Sequence, residues 1–260
     1  APFLGDIPRF EGKSNRGIVV KEESRDGVSE AFRMLRANLS FMAVSKSVNV
    51  IMVTSSAPHS GKTFISSNLA VTLAATGKSV ALVDLDLRRR TLSKQFGHRN
   101  DRRGVTSYLT DKIGSLSEIV VRGEIEGVDA IFSGPQPPNP TEMLMSERMK
   151  EFIGELRSHY DYIVIDSVPA LAVADAMVID PLVDLSIYVV RYGNLDRSQL
   201  PDIERLHQDK RIHNMGIIFN SVKQSKHGYG YGYGYGYYSD EELSPAKRRL
   251  HKLLSYFKKR

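Results

Sequence analysis

The segment VIMVTSSAPHSGKT, from Val50 to Thr63, is the most informative part of the sequence about the fold. It opens with an apolar run rich in β-branched residues, after which come a polar loop and a segment of helical period up to about Thr76. This order predicts a buried strand, a loop and a helix, which is the context that a phosphate-binding Gly-Lys-Thr loop requires. The N–H groups of the loop and helix start lack partners within the helix, and the helix dipole favours negative charge beside them.

The loop predicts a nucleotide site. We expect the Lys62 ammonium group to reach the β and γ phosphates of ATP and the Thr63 hydroxyl to bind Mg²⁺. Ser60, Gly61 and Phe64 complete the predicted nucleotide-binding residues of this segment. Serine replaces the first glycine of the strict motif, and a Gly-Lys helix start without any ligand is the alternative interpretation.

Along the rest of the chain, apolar runs alternate with segments of helical period. This alternation predicts a doubly wound, mostly parallel α/β sheet of the P-loop NTPase type, which binds ligands outside the carboxyl ends of its strands. The predicted strands are Val48 to Thr54, Ser79 to Val83, Val128 to Phe132, Tyr162 to Ile165, Leu185 to Val190 and Gly216 to Asn220. The predicted helices are Glu30 to Phe41, Lys62 to Thr76, Thr141 to His159, Val173 to Ile179 and Ser198 to Lys210. Roughly the first 25 residues are polar and are expected to be irregular.

Two of the predicted strands end in aspartate. The segment ALVDLDLR (81–88) places Asp84 and Asp86 at the end of one strand, and YIVIDSVP (162–169) places Asp166 at the end of another. Mg²⁺ prefers oxygen ligands and keeps several waters, so one or two carboxylates together with phosphate oxygens suffice. Asp166 and one member of the Asp84/Asp86 pair are therefore candidate magnesium ligands. Capping of the next helix by these aspartates is the alternative.

Composition and charge limit the classes of protein to consider. The 260 residues are 41% hydrophobic and 25% charged, which fits one α/β domain with a short appendage. The sequence has no cysteine, which excludes a disulfide framework and a thiol nucleophile, and no run approaches the ~20 apolar residues of a membrane helix. The net charge is +6, of which residues 239–260 carry +4. The near-neutral remainder argues against nucleic acid as a partner.

After the last predicted strand the pattern changes. From Tyr229 onward tyrosine and glycine alternate, and Tyr238 closes the run. We divide the chain into a nucleotide-binding domain over residues 1–225, a Tyr/Gly tail over 226–238 and a basic segment over 239–260. The last segment has apolar residues at helical spacing flanked by cations, which suits a helix on an anionic membrane surface or on a partner. A disordered basic terminus is the alternative.

Together these motifs resemble those of the bacterial tyrosine kinases that are associated with polysaccharide co-polymerases. Residues 56–63, 81–88 and 162–169 resemble the family's Walker A, Walker A′ and Walker B motifs. EAFRMLR (30–36) is similar to its E-x-x-R-x-x-R helix, and PPNPTEML (137–144) is similar to its P-P-N-P segment. The tyrosine cluster is a further family feature, and the resemblance covers about residues 1 to 238.

The resemblance implies autophosphorylation on tyrosine in trans, with MgATP as the phosphoryl donor. It implies that Lys62 and Thr63 bind phosphate and metal, that Asp86 and Asp166 serve Mg²⁺, and that Asp84 accepts the proton of the incoming tyrosine. The implied catalytic residues are thus Lys62, Asp84, Asp86 and Asp166, and the implied metal ligands are Thr63, Asp86 and Asp166. Together with the family's tail, this makes the domain over residues 1–225 a tyrosine kinase domain.

The implied phosphate acceptors are the six tail tyrosines Tyr229, Tyr231, Tyr233, Tyr235, Tyr237 and Tyr238. A Tyr/Gly linker that only tethers or self-associates is the alternative. In related phosphate-loop ATPases an asparagine at the position of Asn220 faces the adenine base, which adds Asn220 to the predicted nucleotide-binding residues.

Glu30, Arg33 and Arg36 recur every three residues and therefore share one side of a helix. The resemblance implies that they join subunits into a ring, for example an octamer, and a solvated charged face is the alternative. Further implied partners are a transmembrane activator or co-polymerase domain, fused or separate, and a cognate tyrosine phosphatase. The implied location is the cytoplasmic face of the bacterial inner membrane, and the implied role is control of exopolysaccharide and capsule synthesis and export.

Two other classes compete with this interpretation. A partitioning-type (MinD/ParA-like) ATPase of the same phosphate-loop branch is a nucleotide-dependent switch that phosphorylates no protein. Such ATPases carry a lysine five residues before the loop lysine, where this sequence has Ala57. An assembly scaffold with a purely structural ATP site is the second alternative.

Overall fold

A computed structural model of the 260-residue chain describes residues 1–12, 14, 16–42 and 48–223, with Phe41 described by its backbone only. The predicted Tyr/Gly tail with its six tyrosines and the basic segment over residues 239–260 lie outside the described residues. Among the helices that the structure describes, none has the length and apolar character needed to cross a membrane.

The described residues form one eight-stranded sheet with helices on both faces. The strands are β1 (Phe3–Pro8), β2 (Val50–Ser55), β3 (Val80–Asp84), β4 (Val120–Ile125), β5 (Val128–Ile131), β6 (Tyr162–Asp166), β7 (Leu185–Arg191) and β8 (Met215–Val222). The helices are α1 (Gly27–Met42), α2 (Lys62–Ala74), α3 (Thr91–Gln95), α4 (Val105–Leu109), α5 (Pro140–Leu144), α6 (Glu147–His159), α7 (Asp175–Ile179) and α8 (Leu200–Gln208).

The strand order is β1-β8-β7-β2-β6-β3-β5-β4, and every neighbouring pair is parallel except β4 and β5. The predicted doubly wound, mostly parallel sheet is therefore confirmed. Each of the six predicted strands is present, with ends that differ by at most two residues. These strands were predictable because both faces of the central strands are buried, so β2 and β3 read as continuous apolar runs.

Two hydrophobic cores lie on the two faces of the sheet. On one face, α1 and α2 bury Phe32, Leu35 and Leu69 against the strands. On the other face, α6 buries Phe152 and Leu156 together with side chains of α4, α7 and α8. Each such side chain contributes about 1.5–3 kcal/mol by leaving water, so the two faces fix the sheet between its helix layers.

Local sequence explains where the helices begin. The Asp26 carboxylate accepts hydrogen bonds from the N–H groups of Val28 and Ser29 at 2.9 and 3.0 Å, so α1 begins three residues before its predicted start. The helix predicted over Thr141 to His159 is two helices, α5 and α6. It is interrupted because the Ser146 side chain caps a new helix start by accepting from the Met149 N–H group at 3.2 Å.

The expectation that the first 25 residues are irregular is wrong for β1. This strand pairs in parallel with β8 at the edge of the sheet and buries Leu4 and Ile7 on the α1 face. Only these two of its six residues are fully buried, so the apolar signal is too short to stand out. The other edge strand, β4, was also not predicted, and most of its side chains are likewise exposed or half-buried.

Candidate functional site

The phosphate loop lies at the carboxyl edge of the sheet, between the end of β2 at Ser55 and the start of α2 at Lys62. Gly61 has a φ of 94°, in the left-handed region that favours glycine. A Cβ atom at Gly61 would collide with Nδ2 at the end of the Asn220 side chain, so an alanine here would also have to displace that amide. Asn220 Nδ2 donates to the Ser60 carbonyl at 2.8 Å and thereby ties the loop to β8.

Side-chain hydroxyls hold the shape of the loop. The hydroxyls of Ser55 and Ser60 both donate to the Ala57 carbonyl at 2.8 Å. Ser56, which replaces the usual first glycine, accepts a hydrogen bond from the buried Tyr188 hydroxyl at 3.0 Å. The serine at the first-glycine position is therefore compatible with a fixed loop, because β7 supplies a partner for it.

The structure brings together the lysine, the hydroxyl and the three aspartates predicted from the motifs. Lys62 Nζ donates to the Ser55 hydroxyl at 3.3 Å, and Thr63 Oγ1 donates to Asp166 Oδ2 at 2.7 Å. Asp84 and Asp166 are register neighbours on β3 and β6, so their carboxyl groups meet at one edge. A cluster of acids and one amine out of contact with water makes each charge act strongly on the others.

Asp166 carries the clearest signal for a cation site. The residue is 1% exposed, and its Oδ1 atom is buried without a hydrogen-bond partner among the described residues. Burial, with repulsion from Asp84 added, raises the pKa of Asp166 to about 8. An unpaired buried carboxylate oxygen is costly, and a cation at this point would remove the cost.

Asp84 has a different environment. Its Oδ2 atom accepts from the backbone N–H and hydroxyl of Ser93 at 2.9 and 2.5 Å, and its Oδ1 atom accepts from the Asp86 N–H at 3.2 Å. Burial raises the pKa of Asp84 to about 7, although the bonds from Ser93 work against the shift. Asp84 is fully buried, so these contacts hold the aspartate loop together, and its role as proton acceptor stays a prediction.

The cluster fits Mg²⁺ as a partly water-bound ion and does not form a complete protein cage. Asp86 is 5% exposed, accepts from the Arg89 N–H at 2.8 Å and attracts the Lys62 charge. Burial lowers the pKa of Lys62 despite its attraction to Asp166 and Asp86. Within the described part of the chain, no group of three or more His, Cys, Asp or Glu residues forms a preformed metal site. Mg²⁺ is usually held by one or two carboxylates together with phosphate and water oxygens.

Sequence reasoning missed a clamp on the aspartate loop. Arg88 donates from Nε and Nη2 to the two carboxylate oxygens of Asp175 at 2.7 and 3.0 Å, and Nη2 also donates to the Thr141 hydroxyl at 2.9 Å. Thr141 in turn donates to Asp175 at 2.7 Å. The clamp joins the loop after β3 to α5 and α7. Asp175 lies 87 positions from Arg88, and no spacing rule connects them.

The remaining predicted residues lie on α1 and α2, which cover one face of the sheet. The Phe64 ring lies 6.0 Å from the Phe32 ring of α1 and packs against the core on that face, so the predicted nucleotide contact of Phe64 stays a prediction. Glu30 and Arg33 form an ion pair on α1, and Arg33 also donates to the Glu22 carbonyl at 2.9 Å.

Arg36, the third predicted interface residue, donates to the Thr72 carbonyl at 2.9 Å. Glu30, Arg33 and Arg36 are thus half-buried on one side of α1 and make contacts within the chain.

Comparisons with known proteins first define the class. A family profile described as an AAA domain matches residues 48–189, which places the chain among the nucleotide-binding α/β domains of the phosphate-loop class. The septum site-determining protein MinD from Pyrococcus horikoshii has a TM-score of 0.55 at 24% identity, covering 68% of this chain and 72% of that one, and shows the fold alone.

Two further relatives define the family. The tyrosine-protein kinase YwqD of Bacillus subtilis is 35% identical over 215 residues, which are 83% of this chain and 90% of that protein. The tyrosine-protein kinase Etk of Escherichia coli is 38% identical over 209 residues, and the match covers 80% of this chain but 28% of that protein.

The solved kinase domain of the Escherichia coli enzyme has a TM-score of 0.77 at 32% identity and covers 89% of this chain and 95% of that one. The chain therefore belongs to the bacterial tyrosine kinases.

Proposed function

We propose that the chain transfers the γ-phosphoryl group of MgATP to tyrosine hydroxyls in the tail of another copy of itself. The observation that carries the proposal is the Asp166 carboxylate, which is bonded through one oxygen to Thr63 and has its other oxygen buried without a partner. This oxygen lies next to a phosphate loop in a chain of the tyrosine kinase family. The acceptors would be Tyr229, Tyr231, Tyr233, Tyr235, Tyr237 and Tyr238.

The residues of the site would perform three tasks in this reaction. The N–H groups of the loop and of the start of α2 bind the phosphate oxygens, and Lys62 neutralises charge on the β and γ phosphates. Thr63, Asp86 and Asp166 would hold Mg²⁺, which when bound neutralises charge on the phosphates and fixes their position. Asn220 keeps the loop in shape through its bond to the Ser60 carbonyl. We propose that it also faces the base of the nucleotide.

The bond changes balance without a further reactant. The tyrosine oxygen forms a bond to the γ phosphorus, the bond from this phosphorus to the β–γ bridging oxygen breaks, and ADP leaves. The phenol proton goes to a carboxylate, for which we propose Asp84. Because a free tyrosine has a pKa of about 10, the proton is transferred late, when the phenol oxygen has begun to bond to phosphorus and its O–H has become more acidic. Asp84 is fully buried, so the aspartate loop must open slightly for this step.

We further propose that copies of the chain assemble into a ring through the α1 face formed by Glu30, Arg33 and Arg36. The proposal is supported by the placement of all three on one half-buried side of α1. We expect Arg33→Ala with Arg36→Ala to give a monomer with weak autophosphorylation. Sedimentation that shows an intact oligomer for this double variant would remove the ring assignment from this face.

The biological setting follows from the relatives. A protein of Klebsiella pneumoniae named a putative tyrosine-protein kinase in the cps region is 35% identical over 79% of this chain, and the match covers 28% of that protein. We propose control of exopolysaccharide and capsule synthesis and export at the cytoplasmic face of the inner membrane. The proposed partners are a transmembrane activator or co-polymerase domain, a cognate tyrosine phosphatase and an anionic membrane surface.

The decisive test is incubation with labelled ATP and Mg²⁺, followed by detection of phosphotyrosine. We expect labelling of the wild-type chain, loss of label in Lys62→Met and severe loss when all six tail tyrosines are replaced by phenylalanine. Single tyrosine replacements should have mild effects, since the six acceptors share one repeated context. ATP hydrolysis without any phosphotyrosine would instead support a partitioning-type ATPase, and nucleotide binding without turnover would support a scaffold.

A further inference from the structure

Within the residues that the structure describes, positive charge is concentrated beside the candidate active site. Residues 88–103 contain seven Lys and Arg against one Asp, a net charge of +6 that equals the net charge of the whole chain. Two of the seven cations, Arg88 and Arg90, are used within the fold or buried. The other five side chains are exposed, and we call them the cationic loop: Arg89, Lys94, Arg99, Arg102 and Arg103.

The fold fixes this loop at the carboxyl edge of the sheet, where the nucleotide site lies. The Arg90 N–H donates to the Asp86 carbonyl at 2.7 Å, and the Arg90 guanidinium group donates to the Arg99 carbonyl. His98 stacks on Phe132, which follows β5, with the ring centres 3.9 Å apart. The Phe132 carbonyl also accepts from the first residue of α4 at 2.9 Å, so the far end of the segment is held just beyond the end of β5.

The cations of this loop are available to a ligand. None of the five side chains forms an ion pair or a side-chain hydrogen bond with any other residue that the structure describes. The acid within the loop, Asp101, is paired with His98 at 2.5 Å. The charge of Arg89 is close enough to the active site to contribute to the lowered pKa of Lys62, where burial is the larger cause. Five unpaired cations in fifteen residues repel one another and therefore favour an anionic occupant.

The tail contains one anionic feature of matching size. Asp240, Glu241 and Glu242 follow Tyr238 almost directly, and no other acid occurs after Asp209. In an extended chain Tyr238 lies ~7 Å from Asp240, and Tyr229 lies ~40 Å from it. An anchor at the three acids would thus hold every acceptor tyrosine within reach of the neighbouring γ phosphate. The Tyr/Gly repeat between them has no charged side chain that could serve this purpose.

We propose that the cationic loop is the docking site for residues 240–242 of a second copy of the chain. This proposal rests on the proposed kinase function and names how its protein substrate is held. A short chain can bind the loop and leave the nucleotide entrance open, whereas a flat membrane or a nucleic acid duplex at this edge would cover it. After transfer, phosphotyrosine groups of about −1.5 to −2 charges each bind the same cations, so one docked tail receives several phosphates.

The test separates enzyme from acceptor. The acceptor is the full chain with Lys62→Met, which retains its tail. The enzyme is the full chain with all six tail tyrosines changed to phenylalanine and with Asp240→Asn, Glu241→Gln and Glu242→Gln. The only acceptor tyrosines and the only tail acids in the reaction then belong to the acceptor, and phosphotyrosine formation against acceptor concentration gives KM and kcat.

Neutralising Arg99, Arg102 and Arg103 to Gln in this enzyme should raise KM for the acceptor about tenfold with little change in kcat or in ATP hydrolysis, because three exposed ion pairs are lost. The matched control neutralises three exposed cations elsewhere on the chain: Lys112, Lys210 and Arg211. This control should leave KM unchanged.

Neutralising Asp240, Glu241 and Glu242 in the acceptor should give the same rise, and the two changes together should give no further rise. Reversing both signs, with Glu at the three loop positions and Lys at the three tail positions, should restore most of the affinity. Between 50 and 300 mM NaCl the KM of the unchanged pair should rise steeply, and that of the neutralised pair should hardly change.

The outcomes distinguish failure of the docking proposal from failure of the kinase function on which it rests. Absence of phosphotyrosine with the unchanged loop contradicts the kinase function itself. Normal phosphotyrosine formation with an unchanged KM in the Arg99, Arg102 and Arg103 variant overturns the docking proposal alone. A KM that responds to the loop but not to the tail acids also overturns it. Loss of binding to phosphatidylglycerol vesicles in the loop variant, together with an unchanged KM, would assign the loop to a membrane surface instead.

Discussion

The burial of Asp166 predicts that this residue destabilises the ligand-free protein at neutral pH. Its pKa rises from an ordinary 3.8 to about 8, so the folded state favours the neutral acid while the unfolded chain releases the proton. For a group whose pKa is raised on folding, its contribution to the free energy of unfolding is fully present below about pH 4 and is lost as pH rises towards 8. Replacement by asparagine removes the titration and retains an oxygen that accepts from Thr63.

The magnitude follows from the same values. Between the unfolded pKa and pH 7 the cost of the ionised group grows by about 1.4 kcal/mol per pH unit, which gives about 4 kcal/mol at pH 7. Loss of the attraction between Asp166 and Lys62 offsets part of this gain. We therefore expect Asp166→Asn to raise the free energy of unfolding by about 2–4 kcal/mol at pH 7, and by less than about 1 kcal/mol at pH 4.5.

The measurement is urea unfolding of the full chain at pH 4.5, 6, 7 and 8 with EDTA and without nucleotide. The sequence has no tryptophan, so far-UV circular dichroism supplies the signal. Asp184→Asn is the matched control of opposite sign. Although burial alone would raise the pKa of Asp184, hydrogen bonds from Arg157 and from the Val50 and Asn49 N–H groups lower it.

The control should therefore lose stability at pH 7 and approach the wild type at low pH. A difference between Asp166→Asn and wild type that is constant with pH, or that shrinks as pH rises, would refute the assignment of a buried, proton-favouring carboxyl group to this position.

Three further outcomes are expected at the same site. Gly61→Ala should lower the free energy of unfolding by about 1–3 kcal/mol and weaken nucleotide binding in calorimetry, because its Cβ would displace the Asn220 amide. The control is Gly77→Ala, where φ is 76° and the space is open, so that it shows the effect of backbone strain alone; equal effects of the two variants on stability would contradict the steric argument. Asp84→Asn should lower kcat while nucleotide affinity is unchanged, and near-normal phosphoryl transfer would remove the proton-acceptor role. Arg88→Lys should lower kcat about tenfold, since an ammonium group cannot replace the bidentate contact with the Asp175 carboxylate on α7. An unchanged rate would show that the clamp has no part in positioning the aspartate loop.

The sequence was sufficient for the parts of the fold that are buried on both sides. The strand from Val50, the phosphate loop and the strand ending at Asp166 follow from continuous apolar runs and from the punctuation that ends them. An edge strand has a neighbouring strand on one side only and is partly exposed to water, so the sequences of β1 and β4 mix apolar and polar residues instead of forming continuous apolar runs. The register that pairs β1 with β8 is a long-range choice that local residue order does not encode.

The same limit applies inside the site. Motif spacing predicted that Lys62, Thr63, Asp84, Asp86 and Asp166 share one edge, because parallel strands place their carboxyl ends together. It did not predict the unequal environments of the aspartates, since these depend on partners from other parts of the chain. Ser93 reaches one carboxylate through the helix after β3, and the hydroxyl of Thr63 reaches another from across the sheet edge.

These unequal environments connect stability with ligand binding. The folded chain buries Asp84 and Asp166 next to each other, and their repulsion raises the pKa of Asp166 beyond the effect of burial. A divalent cation that binds the unpaired oxygen of Asp166 must displace the proton that this oxygen favours at neutral pH. Its affinity should therefore rise with pH up to about 8, where the contribution of Asp166 to the stability of the ligand-free fold has been lost. Binding of metal and nucleotide thus removes the cost of the ionised carboxylate in the ligand-free cluster. Both ligands should therefore stabilise the fold more at pH 8 than at pH 6.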